Sequence, residues 1–494
     1  MVDKPRGPAR KPREAPSPTK AIPSVGQRRD EQARRVLRRL MQGDSPPTAP
    51  MSIVERLAGS PYANPMIQVG GLDDSARRTL DFALNLAETM FRYGAGALEA
   101  ETSIIAVTAA FGLRNVDVDI TNQSIIINYA LKDMTPVTLL RVVRSWTNNY
   151  AGLAMVHQLV TDIVDGGVGR DEAAKRLQEI VRRPKPFPRP MVTLAEGLFA
   201  LVIVGVIGGG PLASLVGFLS NILVGLLTRQ LGKWRVPDFF TTAAGSFAVT
   251  FIALLFWWMN LPISPAIVIA GGILLLLPSG RLVSAVQDAI NGFPVTAAGR
   301  LLSAFLTFGA VVSGIAVGLV LGAFSGTGRL DPTSMPGDAY PVWARALLVV
   351  IAVLTIGIVE QTRPRLLLPT GAAGLAGYLV LVGATAAGLG DRLAPAVSAV
   401  ALGMVARMVA LRMGAPQLVV AVPAVLFLLP GLSIFRAMYT WTVDPNAALD
   451  GAVGIFNALT VILAVAGGTV LGDNLARPFT RKLGSNEKRR NRRR

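Results

Sequence analysis

From Val192 to Leu475 the sequence runs through about ten long apolar segments, and these fall into two halves that read as copies of one another. The clearest trace is Leu-Leu-Leu-Leu-Pro-Ser-Gly at 274–280 against Leu-Phe-Leu-Leu-Pro-Gly-Leu at 426–432, which sets Pro278 and Pro430 152 residues apart. The same offset aligns Gly299 with Gly451, each opening a further apolar span. Two copies of a five-span unit insert with opposite orientations, because five is odd. Inverted repeats with proline-interrupted segments at matching positions are the sequence mark of a secondary transporter. The fold class expected is therefore a polytopic α-helical membrane protein, with about ten transmembrane helices arranged as two five-helix inverted repeats.

Composition agrees with a bilayer as solvent. Mean hydropathy is +0.47 and only 16% of the 494 residues are charged, against roughly a quarter in soluble domains. There is no cysteine, so disulfides and thiol chemistry drop out, and the single histidine, His157, excludes a multi-histidine metal site. No cofactor is called for. The net charge of +18 suggests nucleic acid until it is located. Residues 1–50 carry 12 Lys/Arg against 5 Asp/Glu, and residues 477–494 carry 9 against Glu487. The excess thus sits in two tails flanking a membrane domain, where basic residues mark the cytoplasmic side, and nucleic acid is not expected as a partner.

The expected organisation is a disordered, basic, proline-rich tail over 1–50 and a cytosolic α/β domain over 51–183. A proline-rich linker at 184–191 leads to membrane repeat 1 at 192–324. An extracytoplasmic loop at 325–341, membrane repeat 2 at 342–473 and a basic cytosolic tail at 474–494 complete the chain. Within the tail, Val36, Leu37 and Leu40 would share one face of a short basic helix. In the α/β domain, Leu80, Leu84, Ala87 and Phe91 have helical spacing, and Val116, Val118 and Ile120 alternate with Asp117 and Asp119 as a strand. A second strand over 124–129 closes a hairpin. Pro136 is read as opening a long helix with the stripe Leu139, Val143, Trp146, Tyr150, Leu153, Val160 and Val164.

Loop charge sets the topology. With Arg182, Arg183, Lys185 and Arg189 inside, the later inside loops hold nine basic residues, among them Arg229, Arg281, Arg363 and Arg412. The outside loops hold four: Arg329, Arg345, Arg392 and Arg436. Both termini are expected in the cytoplasm, and the protein in the bacterial cytoplasmic membrane as a multi-pass chain with lipid around it.

Pro278 and Pro430 are the expected helix breaks. Gln287, Asp288 and Asn291 follow the first break in a segment too polar to face lipid, with Arg300 nearby, and the second copy offers Arg436, Tyr439 and Asp450. Half-helix ends beside such groups can bind a charged or zwitterionic solute; alternatively Asp288 simply pairs with Arg281 or Arg300 in a loop. Glu196 and Glu360, near inner span ends, are candidates for proton coupling or plain interfacial acids. Asn221 and Asn457 sit deeper, as solute ligands or interhelical glue. Glu99, Glu101, Asp117 and Asp119 could line a site in the α/β domain, and His157 falls on an apolar stripe. No nucleophile elbow, phosphate loop or metal motif is present, so no catalytic residue is assigned and the chain is not read as an enzyme.

Three stretches carry a resemblance: Phe-Gly-Leu-Arg-Asn-Val-Asp-Val-Asp-Ile-Thr at 111–121, Val-Gln-Asp-Ala-Ile-Asn-Gly-Phe-Pro-Val-Thr-Ala at 286–297, and Leu-Pro-Gly-Leu-Ser-Ile-Phe-Arg-Ala-Met-Tyr at 429–439. From about Ser75 to Leu475 the chain resembles the threonine/serine exporter family of actinobacteria. That resemblance implies a cytoplasmic N-terminal domain, two related five-span units, and export of L-threonine and L-serine driven by protons. Gly94–Ala97, Gly-Ala-Gly-Ala, departs from the Gly-Ala-Glu-Thr-type turn of many relatives. The rival readings are export of another small metabolite such as succinate, and a membrane-anchored hydrolase with 51–183 catalytic. Oligomeric state is left open, a homo-oligomer included.

Overall fold

The computed structural model describes residues 73–130, 136–324, 339–443 and 445–491. The readings of the 1–50 tail, of 51–72 and of most of the 325–341 loop fall outside these residues. The chain is a polytopic helical membrane protein. Eight helices are long and apolar enough to cross a membrane, and ten spans result if each of two bent helix pairs counts as one.

The N-terminal α/β domain begins with α1 (Asp74–Arg92) and α2 (Ala97–Ala110). Gly94, at φ +98°, makes the left-handed turn between them that a β-carbon would resist. Strands β1 (Val116–Thr121), β2 (Ser124–Tyr129) and β3 (Val137–Val142) follow as one antiparallel sheet in chain order. Register Thr121↔Ser124 leaves Asn122 and Gln123 as a two-residue turn, and Asn122 adopts φ +52°. One sheet face, with Ile120, Ile125 and Ile127, packs on Leu80, Leu84, Phe91 and Ile104. The opposite side of α1 meets α3 (Tyr150–Val164) and α4 (Arg170–Arg182) through Phe82, Leu86, Met90, Leu153 and Leu177.

The expected helix from Pro136 is corrected here. Residues 137–142 form β3, and helix starts only at Tyr150, where the Asn149 side chain accepts from the Gly152 amide. Short apolar runs fit both periods. β-Branched Val137, Thr138 and Val142, together with a free edge of β2, decide for strand.

Twelve helices follow. They are α5 (Arg189–Val206), α6 (Pro211–Lys233), α7 (Asp238–Trp258), α8 (Pro265–Ile273), α9 (Ser279–Ile290) and α10 (Pro294–Phe324), then α11 (Val342–Val359), α12 (Pro364–Ala386), α13 (Ala394–Met413), α14 (Gln417–Val425), α15 (Gly431–Val443) and α16 (Ala448–Asn491). The helix pairings of the first six recur in the last six: α7 with α10 as α13 with α16, α9 with α10 as α15 with α16, α6 with α8 as α12 with α14. Contacts between the sets are reciprocal too, since α9 packs on α16 and α15 on α10. Helix α16 continues through the segment read as a cytosolic tail.

Each set has one bent pair. Helices α8 and α14 tighten into a 3-10 turn (Leu274–Leu276, Leu426–Leu428), then Leu277 and Leu429 turn extended at ψ 137° and 141°. A proline disfavours the helical region for the residue before it, so Pro278 and Pro430 favour the chain leaving helix at these points, whereas Pro423 stays inside α14. The limbs restart at Ser279 and Gly431 with bends of 53° and 49°.

Candidate functional site

The two breaks cross. Backbone approaches backbone at Gly431, where a β-carbon would lie 2.6 Å from the Ala270 carbonyl oxygen. On the reciprocal side, a β-carbon on Gly280 would stand 3.4 Å from Val422 and 3.6 Å from the hydroxyl of Tyr150. Asn221 on α6 is buried, donates to the Gly217 carbonyl, and fills the space beside Gly272 just before the first break. Asn457 lies half-buried on α16, and Arg436 half-buried on α15.

Below the first break, Asp288 and Arg300 form an ion pair of 2.7 Å at 0% and 8% side-chain exposure. Such a pair survives burial only with further hydrogen bonds, and both come from the α/β domain. The Ala97 amide donates to Asp288 Oδ1 at 2.8 Å, and Arg300 donates to the Ala95 carbonyl at 2.9 Å. The guanidinium also lies over Phe91 (4.6 Å) and Trp146 (5.6 Å). Gln287 faces Gly96, whereas Asn291 ends α9 half-buried. Thr296 ties in the β1–β2 turn, donating to the Ile120 carbonyl and accepting from the Asn122 amide.

A second attachment involves the other set of helices. Tyr150 and Ala151, at the start of α3, donate their amides to the carbonyls of Glu360 and Gln361 at 3.2 and 2.8 Å. The Gln361 side chain bonds both the amide and the carbonyl of Phe187. Lys185 donates to Thr147 and to the Asn148 carbonyl. Burial pushes the Glu360 carboxyl up to about 7, against the pull of Lys185. Burial first, and Glu360 second, raise the Tyr150 hydroxyl well above the usual range, so it stays protonated.

Glu196 is engaged elsewhere, by Arg229 at 3.3 Å, and Arg229 also reaches Thr193. His157 stands 3.4 Å from Glu99 across α2 and α3, and Glu101 is pushed up by burial and by Asp119. No group of three His, Asp or Glu that could hold a metal occurs among the described residues. An open cleft of about 450 Å³ runs between α1 and α4, lined by Arg78, Asp81, Glu88 and Arg92, and shares no residue with the crossing.

Thr296, Trp146, Tyr150 and Gln361 were not singled out for the site from sequence. Thr296 lies inside the 286–297 stretch, but its partners are 174 and 176 residues away.

Two family models match: one described as "Putative threonine/serine exporter" over residues 81–322, the other as "Threonine/Serine exporter" over 345–474. A Mycobacterium tuberculosis protein described as "Probable threonine/serine exporter" is 34% identical over 83% of this chain and 79% of its own length. A Corynebacterium glutamicum "Threonine/serine exporter" is 29% identical over 87% and 89%. No solved structure matches the chain.

Proposed function

We propose, from the premise that the chain belongs to the threonine/serine exporter family, that this amino-acid exporter moves L-threonine and L-serine outward across the bacterial cytoplasmic membrane, driven by the proton motive force. The observation that carries the mechanism is the crossing of two proline-broken helices at matching positions of a repeated helix set. Each set crosses the bilayer an odd number of times if its bent pair is one span, so the sets are inverted repeats. Broken helices meeting at a repeat interface offer half-helix ends to a zwitterion, amide ends toward the carboxylate and carbonyl ends toward the ammonium.

The α/β domain is cytosolic in this reading. It meets the α9–α10 and α11–α12 connections and the helix starts that follow them, which lie on one side by the count of spans and carry Arg300, Arg363 and Arg365. The N- and C-termini share that side. Gln287, Asp288, Asn291 and Arg300 then line the cytoplasmic mouth below the Pro278 break, with Arg436 on the opposite limb and Asn221 and Asn457 along the path. Glu196 and Glu360 are the other carboxylates placed to exchange protons with the cytoplasm.

The test is efflux of preloaded threonine, serine and succinate from cells with and without the chain. Outward movement of the two amino acids, collapsing with the proton gradient, is the expected result. Succinate efflux alone would replace the substrate, and efflux indifferent to an uncoupler would remove the proton.

A further inference from the structure

The polar groups that hold the α/β domain are not part of the repeat. The offset that aligns Pro278 with Pro430 places Thr440, Ala448 and Ala452 where the first copy has Asp288, Thr296 and Arg300. The second copy thus builds the same helices with none of the three. The converse holds at the other attachment. Gln361 occupies a left-handed turn at φ +59°, and the matching turn between α5 and α6 has Gly208, at φ +106°. A side chain in that conformation costs about 1 kcal/mol or more. Gln361 accepts the strain and uses its amide to grip Phe187. The first half therefore carries, in one copy only, side chains that bind the domain, and the second half carries, in one copy only, a side chain that binds the linker following the domain.

The two grips differ in kind. On the first half, a buried ion pair, two charged hydrogen bonds to main chain, two aromatic rings and a threonine hydroxyl converge on 95–97 and 120–122. On the second half, two neutral main-chain hydrogen bonds join 150–151 of the domain to the 360–361 carbonyls, while the Gln361 side chain holds Phe187 of the linker. Between them the Tyr150 side chain, 6% exposed, reaches Gly280 two residues past the break.

We propose that the α/β domain is the cytoplasmic gate of the exporter: it rides on the first half through Asp288, Thr296 and Arg300, and it seats reversibly on the Glu360–Gln361 turn of the second half with Tyr150 as the stopper. This rests on the transport reading above. Inverted repeats alternate access by rocking one half against the other, and a domain fixed to both halves on one face forbids that motion. One grip must release, and the neutral one at 360–361 is the weaker.

The chain contains no cysteine, so introduced pairs report without background. One pair, Asn122→Cys with Gly299→Cys, locks the anchor; a β-carbon at 299 would lie 2.7 Å from the Asn122 side chain. The other, Ala151→Cys with Gln361→Cys, locks the seat. In the full-length protein in vesicles, oxidation of the seat pair is expected to cut threonine efflux by about tenfold or more, with recovery on reduction, whereas the oxidised anchor pair transports at its reduced rate. Unchanged efflux from the oxidised seat pair, or equal arrest by both, would overturn the gate. A second readout needs no solute: in inside-out vesicles, Gly280→Cys should react with an impermeant thiol reagent about tenfold faster when Tyr150→Ala is added. Equal labelling rates would also overturn it. If the reduced proteins move neither amino acid, the transport reading fails by itself, and the labelling rates still judge the gate.

Discussion

The hydroxyl of Tyr150 reaches across from the N-terminus of α3 to Gly280, ending 3.6 Å from where that residue's β-carbon would stand. A residue of the α/β domain thereby touches the lower limb of the first broken helix, within two positions of Pro278. Gly280→Ala fits this contact and is expected to leave efflux within about twofold, whereas Gly280→Leu collides with both Tyr150 and Val422. Overpacking of this kind costs about 1–3 kcal/mol. Thermal unfolding in detergent, paired with efflux, separates a stability loss from a transport loss.

Gly431 tests the crossing itself. Its missing β-carbon would meet a carbonyl oxygen, which cannot swing away as a side chain can. Gly431→Ala should destabilise by about 1–3 kcal/mol and abolish efflux. Gly309→Ala, on α10 with nothing within 4 Å, is the control and should stabilise by up to about 1 kcal/mol through helix propensity.

Asp288→Asn leaves Arg300 charged and uncompensated in a buried site. Removing one partner of such a pair costs about 3–5 kcal/mol. Adding Arg300→Met should restore part of the loss, because two neutral groups need no mutual compensation. Efflux against pH in vesicles with matched expression then gives the functional arm. Asp288→Asn is expected to lose proton-driven efflux, and Glu360→Gln to be milder. Full pH-dependent transport by Asp288→Asn would take Asp288 out of the mechanism.

Glu360 makes the seat sensitive to pH. Its carboxyl, at about 7 when seated, lies above the ordinary value of 4.5 because burial disfavours the charge more than Lys185 favours it. A raised carboxylate contributes fully below the ordinary value, and that contribution is lost as pH rises through the raised one. Lys185 is lowered by burial and only partly restored by Glu360, and neutral Tyr150 adds no charge. The seat should therefore loosen as pH rises from about 4.5 to about 7 and change little above that. Hydrogen exchange at the Tyr150 and Ala151 amides, corrected for intrinsic rates, should speed up across that window in the parent and stay flat in Glu360→Gln.

The helical frame was legible because it is written in local terms. Spans follow from apolar length, and the breaks follow from Pro278 and Pro430 acting on Leu277 and Leu429 through sterics one residue away. Helix α1 followed from its stripe and from Gly94. What stayed hidden depends on chain segments far apart. The run 137–142 could become β3 only because β2 offered an edge. Asp288 appeared as a polar residue after a break, with pairing to Arg300 among its readings. Nothing local, though, announced the Ala97 amide 191 residues away. Gln361 gave no signal at all, since its value lies in a backbone angle and in reaching Phe187.

The turn holding Gly208 in one copy and Gln361 in the other bears on how such a protein could arise. In the inverted arrangement proposed above, equivalent positions of the two copies face opposite sides of the bilayer. An ancestor assembled from two identical polypeptides would display every domain-binding group twice, once toward the cytoplasm and once, idle and costly, toward the exterior. Joining the two genes frees each copy to drift separately. Glycine and alanine can then stand wherever no partner waits, and a strained glutamine or a buried aspartate is kept on the one face that has a linker or a domain to hold.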